Sequence, residues 1–203
     1  MTGPASPEPA PTRLILARHG ETEWSKAGRH TGRTDIPLTD TGREQARRLG
    51  VMLAGRTFSR VLASPLSRAV ETARLAGFGD GLELDADLRE WDYGAYEGKT
   101  RLEIARTVPG FTVWSHPIPG GESLAQLGDR ADRVIAALLP TGGDVLLFSH
   151  GHFLRVLAAR WIEAEPVIAS RLELWTATIS ELGWEQERRV IEGWNAGGDG
   201  RDA

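Results

Sequence analysis

A run of apolar residues, Leu14-Ile15-Leu16-Ala17, ends in Arg18 and His19, and Gly20 then opens a turn. A buried strand ending there would present both side chains at its carboxyl edge, the edge where open α/β sheets bind ligands. A guanidinium beside an imidazole at such a place suits an anion whose phosphorus the imidazole can attack. Arg-His-Gly alone is a weak signal, and three further sites strengthen it. Arg68 sits one turn into a helix after a second strand, Glu90 shortly follows a third, and His150 directly follows the strongest strand pattern of the chain. Parallel strands share one carboxyl edge, so the four sites can converge.

These residue types match phosphoryl transfer, which needs in-line positioning and cationic donors for the equatorial oxygens. Arg18 and Arg68 supply planar forks for phosphate oxygens. His19 can attack phosphorus and hold it as a phosphoramidate. His150, when protonated, adds a third donor. Glu90 can give a proton to the leaving alkoxide and then take one from water, a role worth ~10²–10⁴-fold. The arginines bring the positive charge that a metal ion would otherwise supply, so this reading calls for no metal and no cofactor. With Glu90 protonated and His150 charged, an acidic working pH is expected.

The elements that must position these groups are legible in outline. Arg13 to Ala17 reads as a strand, and the polar stretch from Glu21 to Asp35 reads as loop. A helix follows, capped by Thr41 in a capping box with Glu44 or else by Thr39. Its apolar residues are Ala46, Leu49, Val51, Leu53 and Ala54, with Arg43, Arg47 and Arg48 toward water and Gly55 as its end. Arg60 to Ala63 is a second strand, and Ser64-Pro65 caps and opens the next helix, which runs to about Leu75. Leu82 to Leu84 is a third strand, Arg101 to Thr107 a short helix, and Val108 to Gly121 irregular. A helix spans Glu122 to Leu139 with Leu124, Leu127, Ala131, Val134, Ile135 and Leu138 inward. Asp144 to Ser149 is a buried strand, a helix through Phe153 to Ile162 follows, and two late segments near Ala177–Leu182 and Arg189–Gly193 suggest a hairpin. Alternating strands and helices imply a three-layer α/β/α fold with a largely parallel central sheet.

The 203 residues, 40% of them hydrophobic, suffice for one core, expected over residues 13–195 between flexible tails at 1–12 and 196–203. The formal net charge of -4, with Lys and Arg dispersed, gives no reason to expect nucleic-acid binding. No apolar run approaches membrane-spanning length, so no membrane partner is expected. The absence of cysteine excludes disulfides and thiolate metal sites and is compatible with a cytoplasmic location. A homodimer is compatible with the sequence, but nothing in it calls for one.

The chain strongly resembles the histidine phosphatase superfamily, the phosphoglycerate mutase-like fold. The matching pieces are Leu16-Ala17-Arg18-His19-Gly20-Glu21-Thr22-Glu23-Trp24, His30 to Thr39, Ala63-Ser64-Pro65-Leu66-Ser67-Arg68-Ala69, Leu88-Arg89-Glu90-Trp91-Asp92-Tyr93-Gly94 and Ser149-His150-Gly151. They occur in the family's order and span most of the chain. The resemblance implies that His19 is the phosphorylated nucleophile, that Arg18, Arg68 and His150 form the phosphate pocket beside Gly151, and that Glu90 is the proton donor. It also implies that Thr31 and Gly32 belong to a loop closing over the substrate. Mutases of the family carry Asn where this chain has Ser25, whose hydroxyl has a shorter reach to phosphate. They also carry a longer basic insertion after the Glu motif, whereas here about thirty residues separate Glu90 from Glu122. A mutase must exclude water from its phosphorylated intermediate, so the short cover favours hydrolysis. The resemblance is to the phosphatase branch, with its acid phosphatases and sugar bisphosphatases.

Blander readings stand beside this one. Arg68 alone would be a solvated helix arginine, and Glu90 among Asp85, Asp87 and Asp92 could be a surface carboxylate. His150 and His152, with His19 and His30, could suggest a metal, but no matched carboxylate pair accompanies them. His152 reads better as a residue supporting the site from behind or as a helix-start residue. Trp91 and Trp114 could line a leaving-group pocket. The expected function is a cofactor-independent phosphatase acting on small phosphate monoesters through phospho-His19. The competing functions are a phosphoglycerate mutase and a phosphate-binding module without chemistry.

Overall fold

The computed structural model describes residues 10–197. Its sheet has the strand order β3-β2-β4-β1-β5-β6. The strands are β1 (Arg13–Arg18), β2 (Arg60–Ala63), β3 (Glu83–Leu84), β4 (Asp144–Ser149), β5 (Ile179–Glu185) and β6 (Arg188–Ala196). The first four pair in parallel, and the β5–β6 hairpin joins antiparallel through β5 against β1. The sheet is therefore mostly parallel, as the alternating pattern predicts.

Both faces of β1 and β4 are covered, which is why these strands read as unbroken apolar runs. Leu14, Leu16, Val145 and Leu147 pack under α5 (Leu124–Leu138) and α6 (Gly151–Trp161). Ile15, Ala17, Leu146 and Phe148 pack with Leu49, Leu53 and Ala73 of α2 (Asp40–Leu53) and α3 (Ser67–Leu75). Helix, sheet and helix make the three layers. No helix among the described residues is long and apolar enough to cross a membrane.

Register places the site. Arg18 pairs with Ser149 and Ala63 with Phe148, so β1, β4 and β2 end level. The ladders run one residue further, because His19 N–H donates to Ser149 O and Ser64 N–H to Phe148 O, both at 3.0 Å. His19, Ser64 and His150 thus leave the same edge side by side. Gly20 then passes against the first turn of α2, where a Cβ would overlap the Gly42 carbonyl.

Several local expectations are corrected. The stretch 21–35 contains a short helix, α1 (Glu23–Lys26), closed by a reciprocal Thr22–Ser25 capping box. Thr39, not Thr41, caps α2, accepting from Gly42 N at 3.0 Å. Val51 is 77% exposed, on the outer side of that helix. Helix α3 starts at Ser67 with Leu66 as its cap, which frees Ser64 for the site. A short α4 (Arg101–Ala105) follows the third strand, and a capping box at Ser123 opens α5. Thr12, expected in the tail, is buried and donates to Leu139 O at 2.8 Å, and Ala196 ends β6. Residues 1–9 and 198–203 of the two expected tails lie outside the described residues.

Candidate active site

His19 is 5% exposed at the end of β1. Its Nδ1 lies 2.7 Å from Gly20 O, a contact that requires Nδ1 to carry the proton. Nε2 is then the unprotonated nitrogen. Burial, with the Arg68 and Arg18 charges behind it, holds this imidazole well below the usual histidine range, so the ring is neutral. A neutral, oriented imidazole with one free lone pair is a nucleophile held ready.

Arg18 is half-buried and donates through Nη1 to Leu174 O at 2.5 Å. Its Nε is the one buried side-chain nitrogen or oxygen without a partner among the described residues. An orphaned guanidinium N–H in a buried site is costly unless an anion completes it. Gly151 lies against this fork; a Cβ there would stand 3.2 Å from Arg18 Cζ.

Arg68 and His150 are close to His19 but lie beneath the cleft rather than on its wall. Arg68 is fully buried. It donates to His150 Nδ1 at 3.2 Å, to Thr34 O at 3.0 Å, to Gly32 O at 2.9 Å and to Thr31 O at 3.3 Å. His150 must accept on Nδ1, so Nε2 carries its proton toward Ser64 Oγ at 2.8 Å. Burial, then the Arg68 charge, pushes His150 well below the usual range. The expected charged donor is therefore a neutral ring, 5.1 Å centroid to centroid from His19. The reason is physical: a second cation beside buried Arg68 has no solvent to screen it.

Glu90 closes the other side. Its Oε1 accepts from Trp91 N at 2.9 Å and Phe153 N at 2.8 Å, and Oε2 accepts from His152 N at 3.0 Å. Two of these donors belong to the first turn of α6, where unpaired N–H groups and the helix dipole suit a carboxylate. The backbone carrying Glu90 is clamped from behind by buried Arg130. That guanidinium grips Glu122 at 2.9 and 2.7 Å and donates to the carbonyls of Asp87, Arg89 and Glu90 at 2.7, 2.6 and 3.3 Å.

Arg18, His19, Glu90 and Gly151 line one cleft of about 200 Å³. The description of the histidine phosphatase superfamily, branch 1, matches residues 14–197 of this sequence. The chain belongs to the histidine phosphatase superfamily. An acid phosphatase of Mycobacterium tuberculosis is 46% identical over 183 residues, covering 88% of this chain and 90% of that one. A probable phosphoglycerate mutase of Salmonella choleraesuis is 30% identical over 192 residues, covering 90% and 89%. The solved structure of a Mycobacterium tuberculosis open reading frame product superposes with a TM-score of 0.85 at 43% identity, covering 91% and 97%.

Against this superfamily background, the remaining residues divide. Ser25 and Thr31 line the cleft. The Ser25 hydroxyl, however, accepts from Thr22 N at 2.9 Å and donates to Thr22 O at 3.0 Å, closing α1 instead of facing outward. Gly32 lies behind the wall, its N–H on Glu97 Oε1 at 2.7 Å and its carbonyl on Arg68. Glu97 also takes Thr34 N at 2.9 Å, so the loop expected to close over a substrate is already pinned. Trp91 is core, with Nε1 on Glu122 O at 2.7 Å.

The sequence gave no cleft role to Arg29, His30, Tyr93, Arg155 or Leu174, and His152, expected to support the site from behind or to start a helix, lines the wall itself. Tyr93 Oη lies 2.6 Å from His152 Nδ1, and burial raises the phenol and lowers the imidazole, so the phenol donates. A signal for Arg155 was available: it lies four residues after Gly151, one helical turn deeper from the start of α6.

Proposed function

We propose that this chain hydrolyses small phosphate monoesters through a phosphohistidine at His19. Family membership together with 46% identity to an acid phosphatase supports phosphatase activity, and the geometry of the cleft supports residue roles that the resemblance implies. The observation that carries them is the hydrogen bond from His19 Nδ1–H to Gly20 O, which fixes Nε2 as the nucleophilic atom.

In the first step His19 Nε2 attacks phosphorus, forming an N–P bond as the P–O bond to the leaving group breaks. Glu90 takes up a proton from mildly acidic solvent and passes it to the departing oxygen. The imidazole becomes cationic, and its Nδ1–H bond to Gly20 O strengthens as charge develops. Arg18 takes the phosphoryl oxygens through the Nε that is otherwise orphaned. In the second step Glu90 accepts a proton from water, the water oxygen bonds to phosphorus, and the N–P bond breaks to give inorganic phosphate and neutral His19. Arg68 offsets phosphate charge from below, and His150 holds the Arg68 fork and the edge of His19. No step calls for a metal or cofactor.

The acidic working range keeps one support and loses another. His150 is not charged, but His19 resists protonation well below the usual range and so stays nucleophilic in mild acid. We take residues 13–195 as one catalytic unit, and a cytoplasmic location rests on the cysteine-free composition alone.

The test is phosphate release from 4-nitrophenyl phosphate, with acid-labile, base-stable label trapped on the protein. Wild type should turn over and label; His19→Ala should do neither. Near-normal turnover by His19→Ala refutes the assignment. A mutase would instead exchange phosphate between the hydroxyls of phosphoglycerate with little release.

A further inference from the structure

Arg68 carries its charge where no solvent reaches it, and its hydrogen bonds go to neutral groups. Nε–H donates to His150 Nδ1, Nη1 to Thr34 O, and Nη2 to Thr31 O and Gly32 O. Asp35 Oδ1 approaches Nη1 only to 3.9 Å, and that oxygen already accepts from Ser67 N at 2.9 Å and Ser67 Oγ at 2.8 Å. A buried cation without a close anion is costly. The compensation comes from the far side of the carbonyls.

Glu97 stands there. It accepts from Gly32 N at 2.7 Å, Thr34 N at 2.9 Å and Arg33 N at 3.4 Å. The Thr31 carbonyl and the Gly32 N–H belong to one peptide group, and the Gly32 carbonyl and the Arg33 N–H to the next. Two successive peptide groups thus each turn oxygen to the guanidinium and N–H to the carboxylate, and their dipoles line up between the two charges. Bonds chained in this way polarise one another. The packing leaves the strip no room to shift: a Cβ on Gly32 would stand 2.5 Å from Trp91 O and 2.9 Å from Glu97 Oε2. Burial lowers the Arg68 pKa, and the charges of Glu90, Asp35 and Glu97 oppose it. From Arg68 the chain of bonds runs on through His150 to Ser64, at the strand edge beside His19.

We propose that Glu97 is a positioning residue for phosphate binding: through the peptide groups of residues 31–33 it holds the Arg68 fork in place beneath the phosphoryl oxygens. Glu97 does not line the cleft and acts only through Arg68. The sign of its effect is diagnostic. A carboxylate that acted by charge alone would repel phosphate, and neutralising it would tighten binding. A carboxylate that positions Arg68 gives the opposite result, because the fork loosens when the charge is removed. This inference rests on the phosphatase reading above.

The experiment measures the Kd of inorganic phosphate by calorimetry, beside kcat/KM on 4-nitrophenyl phosphate and on an alkyl phosphate. Glu97→Gln keeps the shape and one oxygen acceptor but removes the charge. It should weaken phosphate binding by roughly 5- to 30-fold and lower kcat/KM alike on both esters. In the Arg68→Lys background the same substitution should add little, since an ammonium cannot span the carbonyls and His150 together. In the wild type, saturating phosphate should slow hydrogen exchange at the Gly32 and Thr34 amides, because coupling between two sites is reciprocal. Unchanged or tighter phosphate binding by Glu97→Gln overturns the inference, and so do additive losses in the double variant. Where the variants do not fold, unchanged amide exchange in the wild type overturns it alone. Release of phosphate from neither ester by wild type removes the phosphatase reading, while phosphate affinity and amide exchange still decide the role of Glu97.

Discussion

On one bank of the cleft the working groups stand on strand ends; on the other they stand on a long connection and on the outer turns of a helix. His19 and His150 directly follow β1 and β4, and the sheet ladder itself holds the His19 backbone through Ser149 O at 3.0 Å. Glu90 and Tyr93 lie in the excursion between β3 and α5, which contributes no strand to the sheet. There, side chains do what the ladder does opposite: Arg130 grips three carbonyls, and α6 grips the Glu90 carboxylate. The nucleophile bank is thus built from backbone and should act alike on every ester. The leaving-group bank is built from side chains and should tell esters apart.

The largest expected effect tests the first half of that contrast. His19→Ala should cut phosphate release by roughly 10⁴-fold or more, and by the same factor for aryl and alkyl phosphates, because both need the N–P bond. A loss confined to one ester class would break the contrast. Glu90→Gln comes next. It should cost ~10²–10⁴-fold on an alkyl phosphate and far less on 4-nitrophenyl phosphate, whose phenolate leaves without a proton. Initial rates for both esters across both variants suffice.

The same contrast explains what could be read from the sequence. Leu14 to Ala17 and Val145 to Phe148 are apolar runs that only a doubly covered strand needs, so the residues just after them could be placed on one edge. That located Arg18, His19 and His150. Glu90 was found by motif and not by periodicity, since nothing in the pattern from Asp85 to Lys99 fixes a regular element. Arg155 sits in a helix read correctly in outline, but its stacking partner Trp114 lies about forty residues earlier on another segment. The protonation of His150 was misread for a related reason. Its neutral state follows from burial and then from Arg68, whose Nε donates to it at 3.2 Å, a contact set by the side-chain rotamers of two separate elements. The α2 cap stayed open between Thr39 and Thr41 because both offer a hydroxyl two residues apart, and the structure has Thr39 accepting from Gly42 N.

Arg130→Met sharpens the second half. Arg130 does not itself line the cleft and reaches its wall through the Glu90 carbonyl, so its loss should act through the placement of Glu90. Breaking a buried pair by removing one partner costs about 3–5 kcal/mol of stability, readable by urea denaturation. Displacing the acid should lower kcat by up to about 10²-fold on alkyl phosphates, with 4-nitrophenyl phosphate much less affected. Glu122→Gln should follow the same ester dependence at smaller size. Equal losses on both esters would mean that the clamp supports the whole cleft and that the two banks are not separate.

The smallest effect concerns pH and both banks together. His19 and His150 are buried and His152 half-buried, and all three are pushed well below the ordinary histidine range, loss of solvent being the first cause of each. Their unfolded-state value is about 6.5. Below that pH the unfolded chain takes up protons that the folded protein refuses, so stability is full above about pH 6.5 and falls as pH drops toward the depressed folded values. The slope contributed is at most about 1.4 kcal/mol per pH unit for each histidine. Urea midpoints measured from pH 7.5 down to 5 should decline accordingly. His152→Phe, on the leaving-group bank, should flatten the decline by one histidine's share, because that ring sits among Trp91, Tyr93 and Trp114 and loses only the Tyr93 hydrogen bond. His150→Phe should not give the same clean flattening, since it strips Arg68 Nε of its buried acceptor and adds a cost present at every pH. If the two variants behave identically, the histidines are interchangeable fillers, and the difference between a bank fixed by the sheet and a bank fixed by side chains does not extend to their protons.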